Sequence, residues 1–164
     1  MYSSAYTKEE QVRFMQRAFE IGLNGMIQKK GGPFGCVIVR GGNIIGEGCN
    51  QVTSTNDPTA HAEIVAIRNA CKNLNTFQLD GCEIYTTCEP CPMCLGAIYW
   101  ARPLAIFYGN TRAEAAKIGF DDQMIYDEIP LPHSERSLPI HQLTVSQSGL
   151  LFSQWEKLKD KKAY

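Results

Sequence analysis

Residues able to hold a metal or move a proton fall in two short runs. They are His61-Ala62-Glu63 and Cys88-Glu89-Pro90-Cys91-Pro92-Met93-Cys94. Cys91 and Cys94 are three positions apart, so in a first helical turn both sulfurs can face one point. Thiolates at a helix start are also favoured by the positive end of its dipole. His61 would complete three protein ligands for one Zn²⁺ per chain. Three ligands leave a position for water, the mark of a catalytic rather than a structural zinc site. Cys88 has the same spacing to Cys91 and is a rival ligand. Its expected place at a strand end or turn favours Cys91 and Cys94.

Charge explains the glutamate. Two thiolates and a neutral imidazole cancel the charge of Zn²⁺, which makes the ion a weaker Lewis acid than one held by three histidines. A proton acceptor beside its water would help. Glu63 stands two residues from His61, near enough to reach that water without entering the coordination sphere. Its expected task is catalytic: to take the water's proton and hand it to the leaving group.

These groups need helix starts placed beside strand ends. A helix is expected from Lys8 to Gln28, capped by Thr7 ahead of Glu9 and Glu10, with Val12, Met15, Phe19 and Leu23 at helical steps. Cys36–Val39 and Asn43–Ile45 read as a hairpin split by Gly41-Gly42, and Val52–Pro58 as a loop. A second helix opens near His61, with Ile64, Ile67 and Cys71 on one face. Cys82–Thr87 and Leu104–Tyr108 read as buried strands. Between them a helix starts at Pro90 or Pro92 and stops before Pro103. Ala113–Lys117 should be a short helix, Tyr126–Ser137 a Pro-rich surface loop, Gln142–Val145 an edge strand and Gln154–Lys161 a last helix. A hairpin followed by alternating helices and strands implies a mixed sheet covered by helices.

The chain of 164 residues is the length of one domain. An apolar share of 44% against 20% charged excludes global disorder. Sixteen basic and 17 acidic residues leave a net charge of -1, which argues against a polynucleotide partner. No apolar run approaches the roughly 18 residues of a membrane span, and the opening residues lack a signal-peptide pattern. The odd count of seven cysteines fits thiols in a reducing cytoplasm better than disulfides. Cys36, Cys49, Cys71 and Cys82 are expected in the core, His133 and His141 at the surface, and Lys157, Lys159, Lys161 and Lys162 on a solvated helix face.

His-x-Glu followed by Pro-Cys-x-x-Cys is the signature of zinc nucleobase deaminases. Across most of its length the chain resembles the cytidine deaminase superfamily, and most closely the small bacterial zinc guanine deaminases. The matching stretches are Gly31-Gly32-Pro33-Phe34-Gly35, Asn56 to Glu63, Cys88 to Pro103, and Ile118-Gly119-Phe120-Asp121-Asp122. The resemblance implies an α/β fold of three layers, α/β/α, around a mixed sheet of about five strands. It implies hydrolytic deamination of guanine to xanthine and ammonia, with attack at C2 and Glu63 as proton shuttle. It also implies substrate contacts. Asn50 would be the base-binding amide, since an amide offers both donor and acceptor. Phe34, Ala62 and Trp100 would line the pocket, and Asp122 would meet the amino group. Tyr164, at the end of a tail from about residue 149, would close the site. A homodimer is implied as well.

Three other readings compete. A tRNA adenosine deaminase shares the Asp57–Glu63 run and the cysteine pair, but should carry a basic surface for phosphates. Deaminases of guanosine or cytosine differ only in pocket shape. A zinc module without catalysis is the rival of another class; three ligands and a well-placed Glu63 argue against it.

Overall fold

The computed structural model of the chain describes residues 3–120 and 122–162. Helix α1 (Lys8–Ile27) starts at a capping box: Glu10 N donates to Thr7 Oγ1 and Thr7 N donates to Glu10 Oε2. Its buried stripe is Phe14, Ala18, Gly22 and Gly25. Val12, Phe19 and Leu23, which carried the sequence periodicity, stay largely exposed. A stripe of small residues lets a helix approach a sheet closely, and small residues carry little hydrophobic signal to read in a sequence.

Strands β1 (Gly35–Arg40) and β2 (Asn43–Cys49) form the expected hairpin. Gly41 and Gly42 have φ of 56° and 79°, the left-handed pair that a two-residue turn of this kind needs. A helical turn, α2 (Val52–Thr55), replaces part of the expected loop. Then come α3 (Ala62–Leu74), β3 (Glu83–Cys88), α4 (Pro92–Ala101), β4 (Ala105–Asn110) and α5 (Arg112–Lys117). The sheet order is β2-β1-β3-β4, with β1 antiparallel to both neighbours and β3 parallel to β4.

Strand alternation divides the core in two. Cys36, Ile38 and Ile84 face one side, where they pack with Ala62, Ala66 and Ala70 of α3 and Ile98 and Ala101 of α4. Val37, Val39 and Tyr85 face the other, against Phe14 and Ala18 of α1. This is the α/β/α arrangement expected, on four strands rather than about five. Residues 142–145 join no ladder, and Leu143 is 86% exposed. Gly48 of β2 lies directly beneath the start of α3; a Cβ there would meet the Ala62 carbonyl oxygen at 2.3 Å. The absence of a side chain is what seats the first turn of α3 on the sheet.

Contacts divide the chain into two units, Met1–Asp122 and Gln123–Tyr164. The first contains the sheet and α1 to α5. The second contains α6 (Gln123–Glu128), a 3₁₀ turn at His133–Glu135 and α7 (Leu150–Lys157). So α6 and the 3₁₀ turn occupy much of the expected surface loop, and α7 begins four residues earlier than expected. Arg136 organises this unit, donating to the carbonyls of Leu131 and Ile129 at 3.0 and 2.8 Å. Among the described residues no helix is long and apolar enough to cross a membrane.

Candidate metal centre

His61 and Cys91 occupy equivalent places, each the N-cap of a helix with extended backbone. Neither side chain caps its own helix, so both are left to point elsewhere. Pro92 holds the first turn of α4 in helical conformation and brings Cys94 round beside Cys91. The loop before His61 is braced by Asp57. Its Oδ1 accepts from Thr59 N at 2.8 Å and Thr59 Oγ1 at 2.7 Å, and its Oδ2 lies 3.6 Å from Arg68 Nη1 on α3. These two Thr59 bonds, aided by Arg68, hold the Asp57 carboxyl below its ordinary pKa. His61 N then donates to Thr59 O at 2.8 Å, fixing the ligand's backbone to the braced turn.

The three ligand atoms converge. His61 Nδ1 lies 3.6 Å from Cys91 Sγ and 3.5 Å from Cys94 Sγ, and all three atoms lie within 4.8 Å of one another. Tetrahedral zinc with ordinary Zn–S and Zn–N bonds would require S···N separations of about 3.6 Å. The donor set therefore fits the ion in both chemistry and spacing. Cys88 closes β3, and its Sγ lies 3.7 Å from Thr111 O, outside this group. Burial lifts its thiol pKa to about 11.

The thiols behave as a pair. The adjacent Cys94 side chain and main chain, helped by His61, stabilise the Cys91 thiolate and lower its pKa to about 4. Cys94, beside that thiolate, buried and facing Glu63, is pushed far up. The hydrogen bond to Cys91 raises the His61 pKa despite its burial. A second thiolate is thus opposed by the first, and a divalent cation would remove that opposition.

Glu63, in the first turn of α3, is only 6% exposed. Its Oε2 accepts from Cys94 Sγ at 3.5 Å. Desolvation raises its carboxyl pKa above the ordinary value, as expected for a carboxylate that must both take and return a proton.

The other expected residues come from several elements. Asn50 is buried just beyond β2, its Oδ1 bonded to main-chain N–H groups. Phe34 packs edge-to-face on Phe120, ring centres 4.8 Å apart, and lines a cleft of about 310 Å³ with Cys88, Asn110 and Ile118. Asp122 lies close enough for its charge to act on both His61 and Cys88. The Ala62 side chain is fully buried in the core, so only its main chain could face a ligand. Trp100 is 63% exposed near the far end of α4, about 9 Å along the helix axis from Cys94. Tyr164 lies outside the described residues. The Asp57 brace and the Phe120 ring were missed in the sequence reading, although both lie inside runs quoted for the resemblance.

Two helix N-termini presenting His, Cys and Cys, with a buried glutamate between them, on a sheet of order 2-1-3-4, define a zinc deaminase fold. Residues 8–110 match the family described as the cytidine and deoxycytidylate deaminase zinc-binding region, and the chain belongs to that family. It is 54% identical to the guanine deaminase of Bacillus subtilis over 151 residues, 92% of this chain and 97% of that protein. A crystal structure of guanine deaminase from B. subtilis superposes with a TM-score of 0.92 at 52% identity, covering 97% of this chain and 99% of the other. The guanine deaminase of Nitrosomonas europaea aligns with a TM-score of 0.65 at 30% identity, over 73% of this chain and 68% of its own. The tRNA-specific adenosine deaminase of Aquifex aeolicus is 46% identical, but over only 56% of this chain and 55% of its own.

Proposed function

We propose that this protein is a zinc-dependent guanine aminohydrolase, converting guanine and water to xanthine and ammonia. The observation that carries the reading is likeness along nearly the whole chain to a guanine deaminase. Likeness to a tRNA-specific enzyme stops at about half.

His61, Cys91 and Cys94 would hold the zinc ion, which supplies Lewis acidity at a position open to water. Glu63 takes a proton from the water that attacks C2. As the bond from C2 to the amino nitrogen breaks, Glu63 returns a proton to that nitrogen and ammonia leaves. Its burial keeps it basic enough for the first transfer and acidic enough for the second. Asn50 binds the base edge. Phe34, Ala62 and Trp100 act as wall residues, Asp122 as acceptor for the amino group, and Tyr164 as the closing aromatic.

We read the assembly as a homodimer in the cytoplasm. The end of α4 and the residues just after it support this, since Tyr99, Trp100 and Leu104 are 75%, 63% and 52% exposed. So do the seven cysteines, none of them in a disulfide.

The test is ammonia release from a panel of free bases and nucleosides. Guanine should give xanthine. Conversion of adenosine in a tRNA anticodon stem, with guanine untouched, would overturn the substrate assignment. Removing Tyr164 should impair turnover without unfolding the protein; unchanged kinetics would dismiss the closing role.

A further inference from the structure

Asn50 is 5% exposed and its amide is already oriented. Its Oδ1 accepts from Gly32 N at 3.3 Å and from Val52 N at 3.2 Å. Its own backbone N donates to Phe34 O at 3.0 Å. The loop that supplies Gly32 is moored in turn, since Thr53 Oγ1 and Ser54 N donate to Lys30 O at 3.0 and 3.1 Å. Gly31 makes the arrangement possible. A Cβ at that position would stand 2.1 Å from Asn50 Oδ1 and 2.8 Å from the Asn50 carbonyl oxygen.

An isolated carboxamide can turn over and offer a donor or an acceptor. This one cannot, because turning it over would set its NH₂ group against two main-chain N–H donors. The Nδ2 hydrogens bond to no described residue and are left for a ligand.

The geometry points to Gly31 and Gly32 as positioning residues that hold Asn50 as a donor only, aimed at an acceptor on the purine edge. This rests on the base-deaminase reading above. In guanine the acceptor would be O6 or N7. A base lacking it would leave a buried donor unpaired, and sites built in this way reject such analogues strongly.

The experiment uses the zinc-loaded enzyme with guanine, 7-deazaguanine (no N7) and 2-aminopurine (no O6). It measures KM and kcat, or Ki where a base is not turned over. In the wild type one analogue should bind at least about tenfold more weakly than guanine, which identifies the acceptor. Gly31→Ala should raise the guanine KM about tenfold, with less change in kcat, and shrink that analogue's penalty. Asn50→Asp keeps both accepted bonds and removes the donor; it should raise the guanine KM by a similar factor with zinc content unchanged. An unchanged guanine KM in either variant, or an analogue penalty that survives in Gly31→Ala, would overturn the proposal. If Gly31→Ala does not fold, Asn50→Asp decides alone. Should the wild type act on a different base, the same ratios are read on that base and on its analogue lacking the acceptor. Failure of the guanine assignment and failure of the amide lock are then separate results.

Discussion

Cys94 and Glu63 meet across two helix starts, the Cys94 Sγ donating to Glu63 Oε2 at 3.5 Å. One residue belongs to the candidate zinc site and the other is the proposed proton carrier. Binding of the metal requires the Cys94 proton to leave, which frees the carboxylate from that bond. Ligand set and general base are therefore coupled before any substrate arrives.

Glu63→Gln separates these roles. The amide keeps the volume and leaves the three ligands in place, so metal content should stay near one zinc per chain. Turnover should fall by about a thousandfold, within the range for loss of a positioned acid–base group. Elemental analysis beside an ammonia assay checks both. Loss of zinc would make Glu63 structural instead.

Cys91→Ser should lose both zinc and activity. The remaining pair, His61 and Cys94, cannot hold the ion on their own. Because metal binding stabilises the folded state, the wild-type protein should also melt several degrees lower after chelation, and the variant should show no such response. Calorimetry with and without chelator reads the difference.

Asp57→Ala should loosen the ligand loop without touching a ligand. With both Thr59 bonds gone, His61 loses its braced anchor, and zinc affinity should fall by about tenfold, the lower end for an outer-shell partner. Competition against a zinc-binding dye measures this. An unchanged affinity would reduce Asp57 to a surface turn residue.

Tyr85 gives an alkaline signature. Burial and its bond to the Glu83 carboxylate raise its pKa well above that of a free phenol. With the folded pKa above the unfolded one, its contribution is complete below about pH 10, where the unfolded phenol ionises. It is lost as pH rises through the folded pKa. Urea midpoints measured from pH 9 to 11.5 should fall more steeply for the wild type than for Tyr85→Phe. Parallel slopes would refute the assignment.

Which features could be read from the chain alone follows a physical division. Cys91 with Cys94, and His61 with Glu63, were legible as pairs because each lies within one turn at a helix start; that the two pairs meet, 30 residues apart, was legible only through the deaminase signature. The hairpin and the α1 cap were legible, like each pair, because their signals lie within four residues. The Asn50 lock was not legible. It joins residues 18 apart through main-chain donors, which carry no side-chain signature. The buried stripe of α1 was misread because Gly22 and Gly25 are chosen for close approach and not for hydrophobicity. The expected strand at Gln142–Val145 had the right residue types and no ladder to join, since a strand exists only with a neighbour.

The three ligands, Glu63, Asn50 and Gly31 all fall between residues 8 and 110, the stretch shared with the family. The metal-binding and proton-carrying groups thus sit together in the shared stretch, whereas Asp122 and Tyr164, proposed to meet and enclose the base, come after it. A change after residue 110 can therefore alter which base is held while leaving the zinc ligands and Glu63 in sequence as they are.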